Sequence, residues 1–149
     1  MDWRRHCSTA LIAIVAATFR SDAESRIMAE FGTLAATIVS NLTPDERERS
    51  AVYLNETIHP PGTATLGMTR IEIDYPYVLA FIDRRPGANW MHPCRYLIVN
   101  PSDQALRSVD SDRPPAFGIL PSTWKLIARS PGLEDWQLMK IEPVDERPP

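Results

Sequence analysis

Two cysteines, Cys7 and Cys94, are too few for a disulfide framework. One bridge between them is the most the chain could form, and spacing alone does not show that their Cβ atoms meet. Glycine is scarce, with six residues, and they fall into neither G-x-G-x-x-G nor G-x4-G-K. No glycine-rich loop therefore offers successive backbone N–H groups to a phosphate, and nucleotide chemistry has no motif behind it. G-x-S-x-G is missing, which removes the nucleophile elbow. The zinc spacings C-x2-C and H-x3-H are missing too. No apolar run approaches the roughly 18 residues of a membrane span. There is also no basic excess: 16 Lys and Arg face 19 Asp and Glu, for a net charge of -3. Nothing at domain scale seeks a phosphate backbone. Nucleic acid, a membrane span, a metal ion and a cofactor are therefore not expected.

What is present is a folded composition, with 44% hydrophobic and 23% charged residues. A chain of 149 residues reads as one domain, able to bury about two-thirds of its unfolded surface. Its 14 prolines are concentrated after residue 43, which points to a loop-rich, sheet-containing second half.

The first twenty residues admit two readings. Trp3, Cys7, Ala10, Leu11, Ile14, Val15 and Thr18 fall on one helical face, so the segment reads as a helix of the mature fold in a cytoplasmic protein. The alternative is a signal peptide over residues 1–23, with Ser21-x-Ala23 as its cleavage site, and an exported protein. Ser21 and Glu24 then form a capping box that opens a helix over residues 22–42. Its apolar stripe is Ile27, Met28, Phe31, Leu34, Ala35, Ile38, Val39 and Leu42. Thr43, Pro44 and Glu46 start another helix, expected to run through Val52, Leu54 and Ile58 to the break at HPPG.

The period then changes. TRIEIDY alternates, with Ile71, Ile73 and Tyr75 facing in. YVLAFID and CRYLIVN are apolar throughout and read as strands covered on both faces. NPSDQ is a turn and ALRSVD a more polar strand. STWKLIARS reads as a helical turn or short helix, and WQLMKIEP as a last strand. YLIVNPSDQALRSVD resembles the strand-turn-strand that closes PepSY-type repeats; it lacks their turn glycine, and no function or residue is carried over from it. The expected architecture is a single α+β domain over residues 1–149. N-terminal helices pack on one face of a four- or five-stranded, mostly antiparallel sheet. The helical half covers about 1–58, the sheet half about 69–142, and 143–149 form a mobile tail.

The chemically distinctive stretch is PGANWMHPC, residues 86–94. It reads as a loop entering a strand, with Cys94 at or near the strand start. Cys94, Tyr96 and Ile98 should share one face, and Arg95, Leu97 and Val99 the other. Arg95 is expected near the open end, reaching water or a carboxylate such as Asp83. Two function classes follow. The first is a non-catalytic binding or accessory protein that meets a protein partner, or a second copy in a homo-oligomer. Its binding residues would be Trp90, Met91, His92 and Arg95, since aromatics dominate binding hot spots. The second is a small thiol-dependent hydrolase or transferase built on Cys94 and His92, with Asp83 or Asp112 orienting the imidazole. A metal site from His92, Cys94, His59 and Asp83 has no ligand spacing to support it.

Overall fold

The computed structural model describes residues 26–146. The alternative signal peptide over residues 1–23, the expected helix over residues 3–18 with Cys7, and the Ser21–Glu24 capping box lie outside them. The chain divides between Thr33 and Leu34 into two units. The first is described only from residue 26; the second carries the sheet.

Helix α1 covers residues 26–40. Its apolar stripe is narrower than expected. Leu34, Ile38 and Leu42 are buried, Phe31 is half-buried, and Ile27 and Met28 are exposed. Helix α2, Pro44–Arg49, starts as the sequence dictates. The Thr43 hydroxyl accepts the Glu46 amide and the Glu46 carboxylate accepts the Thr43 amide, so two of the orphan donors are satisfied.

Here the helical half ends early, which corrects the expectation of helix to residue 58. Ser50 is extended, and strand β1, Ala51–Asn55, follows at once. All five residues of β1 are buried. A strand covered on both faces shows no alternation, and its short apolar run is indistinguishable by period from buried helix.

Strands β2 (Gly62–Leu66) and β3 (Thr69–Ile73) form a hairpin, in which Ile71 and Ile73 are buried as expected. Strands β4 (Val78–Asp83), β5 (Cys94–Val99) and β6 (Leu106–Ser111) form an antiparallel meander. Then come β7 (Ile119–Leu120), β8 (Trp124–Arg129), a 3-10 turn at Asp135–Gln137 and β9 (Lys140–Ile141). The main sheet is five-stranded and antiparallel, in the order β6-β5-β4-β1-β8. The fold is thus α+β. Residues 122–130 are not helical: β8 is an edge strand, with Asn55 opposite Trp124 and Ala51 opposite Arg129. Buried β1 needs partners for its second row of backbone groups, and β8 supplies them. Of the expected last strand, only Lys140–Ile141 pairs, in parallel with β7.

Register assigns the faces. Val52, Leu54, Ile82, Leu97 and Val99 lie on one face, the side on which Glu46 of α2 meets Arg95. Ala51, Tyr53, Phe81, Cys94, Tyr96 and Ile98 lie on the other. They cluster with Ala64, Leu66, Ile71 and Ile73 of the hairpin and with Leu120 and Trp124. The hairpin turn approaches β6 so closely that a Cβ on Gly67 (φ +65°) would overlap the Ser111 hydroxyl.

Candidate functional site

The loop of residues 84–93 joins β4 to β5, with Asp83 and Cys94 opposite each other at its mouth. Cys94 opens β5 and all six β5 residues are buried, as the two-faced apolar pattern implies. Gly87 takes φ +89°, and the Ala88 amide donates to the Arg85 carbonyl at 3.2 Å, closing the Pro-Gly turn. A Cβ on Gly87 would stand 3.2 Å from the Trp136 ring, a tight contact, and the positive φ itself favours glycine there.

His92 locks the loop at its base. Its backbone amide donates to the Asp112 carbonyl at 2.8 Å. Nδ1 lies 2.6 Å from the Trp90 carbonyl, and Nε2 lies 2.9 Å from Asp83 Oδ1. A carbonyl only accepts, so Nδ1 carries a proton and donates it. Nε2 and Oδ1 then share the next one. Asp83 Oδ1 also accepts the Arg85 amide at 2.9 Å. Asp83 and His92 are 2% and 4% exposed. Burial pushes the Asp83 carboxyl up from its usual value, against the opposing pull of the Arg85 amide and His92.

The candidate residues thus separate. Trp90 and Met91 are exposed, at 60% and 50%. His92 and Arg95 are internal. Arg95 does not reach Asp83, because adjacent register positions place the two on opposite faces of the sheet. Instead Arg95 grips Glu46 with both arms, Nε to Oε1 at 2.9 Å and Nη2 to Oε2 at 2.5 Å. Arg84 bridges the same carboxylate (3.0 Å) to Asp110 (2.9 Å). Glu46 is 3% exposed, so it is a buried anion held by two guanidinium groups.

Cys94 is free and buried, and its Sγ donates to the Ser111 carbonyl at 3.4 Å. Burial pushes its thiol up to about 11. At neutral pH the thiolate fraction is then about one in ten thousand. His92 has both ring nitrogens engaged elsewhere and is not hydrogen-bonded to the thiol. Iodoacetamide at pH 7 is therefore expected to label Cys94 only after denaturant is added; rapid labelling of the native protein, abolished by His92→Ala, would contradict this. His59 stacks on Tyr77, with ring centres 5.0 Å apart. Among the described residues no group of three or more His, Cys, Asp or Glu is placed to hold a metal ion. Nor is any helix among them long and apolar enough to cross a membrane.

Asp83 and His92 also line an open cleft of about 580 Å³. Gly87, Ala88 and Asn89 form part of its lining, with Phe117 and Trp136 contributed by the C-terminal segments. Both aromatics are largely exposed. In the sequence Trp136 opens the expected last strand, and no spacing signals that it stands beside Gly87. No protein-family model, no curated protein and no solved structure matches this chain.

Proposed function

We propose that the protein is a non-catalytic binding protein that meets a protein partner, a second copy of itself included, through the loop of residues 84–93. The observation that carries this reading is the Asp83–His92 pair. A buried hydrogen-bonded pair fixes both ends of the loop, while Trp90 and Met91 stand exposed between them. A pre-ordered loop backbone has little further entropy to lose when its exposed side chains bind. Phe117 and Trp136, also exposed, line the cleft that residues 87–89 of the same loop border. With residues 1–23 kept in the mature chain, this binding takes place in the cytoplasm.

Trp90→Ala tests it. The substitution is expected to leave stability within about 0.5 kcal/mol, as for a surface residue. It should weaken self-association, followed by sedimentation over a concentration series, or partner capture by about 2 kcal/mol. A large fall in melting temperature would make Trp90 a structural plug. Unchanged association with intact stability would remove the loop from recognition.

A further inference from the structure

A second pocket, of about 280 Å³, opens over the start of β4 on the hairpin side of the sheet. Its lining includes Thr65, Leu79, Tyr96, Arg113, Phe117 and Trp124. Two independent observations mark it. In β4 every residue is buried except Leu79, so the covering layer leaves a gap above the start of a central strand. And the Nε of Arg113 is buried without a hydrogen-bond partner. No carboxylate lies within ion-pair distance of this guanidinium among the described residues, whereas Arg84 and Arg95 both hold Glu46. Buried donors are normally satisfied, and one that is not asks for the group that completes it.

The Arg113 backbone is also held in place. The Tyr96 hydroxyl donates to the Arg113 carbonyl at 2.8 Å, and the Arg113 amide donates to Ser111 Oγ at 3.1 Å. Pro114 and Pro115 follow and stiffen the exit. The pocket lining has no Asp, Glu, Lys or His, so Arg113 supplies its only full charge.

We infer that this pocket binds an organic carboxylate: Arg113 takes the acid group and the apolar body lies against Leu79 and Trp124. A guanidinium is shaped for a carboxylate, to which it gives parallel N–H bonds. One positive charge with no second cation beside it suits a monoanion. A phosphate dianion would stay uncompensated here, with neither a lysine nor a run of backbone amides to help. The acid group belongs either to a small free acid or to the C-terminus of a peptide. The inference does not rest on the loop of residues 84–93.

The test uses the full 15N-labelled chain titrated with benzoate, with benzamide as the neutral isostere and inorganic phosphate as a second anion. Benzoate should move the Trp124 indole and the Leu79 and Arg113 amides saturably. Benzamide should bind at least about tenfold more weakly, about 1.4 kcal/mol. Phosphate should give no saturable shift. Arg113→Gln should lower benzoate affinity at least about tenfold, Arg113→Lys should retain part of it, and Trp90→Ala should bind as the parent does. N-acetyl-phenylalanine and a short peptide ending in phenylalanine separate the two sources: tighter binding of the peptide assigns a chain terminus, and tighter binding of the small acid a free metabolite. Absence of saturable binding by all three acids overturns the inference. So does benzamide or phosphate matching benzoate, or an unchanged affinity in Arg113→Gln. Should Arg113→Gln fail to fold, the benzoate–benzamide comparison on the unaltered chain still decides.

Discussion

Glu46→Ala is expected to cost about 3–5 kcal/mol of stability, the range for breaking a buried ion pair from one side. The substitution leaves Arg95, 7% exposed, with its guanidinium inside the protein and no anion beside it. Arg84 loses the same partner and keeps only Asp110, which is at the surface. The change also removes half of the capping box on α2, which adds about 1 kcal/mol. Glu46→Gln separates the two contributions. Glutamine can still accept the Thr43 amide but carries no charge, so it should keep the cap and lose the ion pair. Urea unfolding of the three proteins measures both differences; a loss below about 1 kcal/mol for Glu46→Ala would show that the arginines find water.

Acid should expose the same pair. Burial alone would raise the Glu46 carboxyl, but the bonds from Arg95, the Thr43 amide and Arg84 outweigh it and hold it below its ordinary value of 4.5. A carboxyl lowered by folding stabilises the native state above its unfolded value. That contribution disappears as pH falls from 4.5 through the lowered value. Asp83 has the opposite sign: its carboxyl is raised, so folding gains as pH falls from the raised value towards 3.8. In Glu46→Gln the loss of stability between pH 5 and 3, read as melting temperature on the ordinary acid scale, should therefore shrink or reverse.

Phe81→Ala should be comparably damaging, at about 3–5 kcal/mol. Phe81 is fully buried in the middle of β4, opposite Tyr53 of β1 and Tyr96 of β5. Its ring centre lies 6.2 Å from that of Tyr53 and 5.4 Å from that of Tyr96. Truncation opens a cavity between two large rings, and neither backbone can collapse into it because strands hold both. Phe31→Ala on α1 is the internal contrast: Phe31 is half-buried, so its cost should be clearly smaller. Equal losses at the two positions would put Phe31 in the core. A loss below about 1 kcal/mol for Phe81→Ala would take the ring stack out of the stabilising core.

How much of this the sequence displays depends on whether a signal is local. The capping box at Thr43 is written within four residues, and it is present. The β4–loop–β5 unit is legible because Pro86-Gly87 and Pro93 punctuate two apolar runs. The pairing of Asp83 with His92 was among the options for orienting the imidazole, and the loop is short enough to bring them together. By contrast β1 has no period to read, since every one of its residues is buried. β8 carries a serine-threonine cap signal and mixed polarity, and becomes a strand only because β1 lies beside it. The Glu46–Arg95 pair joins residues far apart in the chain, as does the meeting of Gly87 with Trp136. Neither has any spacing signature. The unpaired Arg113 is a property of what surrounds it and looks from sequence like one more charged turn.

A chain emerging from the ribosome makes β1 early and then has to leave it waiting. The β4–β5–β6 meander closes from neighbouring segments, but β1 needs β4 on one edge and β8 on the other, with Ala51 finally opposite Arg129. Until the last third of the chain has been synthesised, a strand apolar on both sides has one edge open to any other extended segment. Closing a loop of that length is slow relative to a hairpin. The interval between making β1 and capping it with β8 is thus the period in which this protein is most exposed to mispairing.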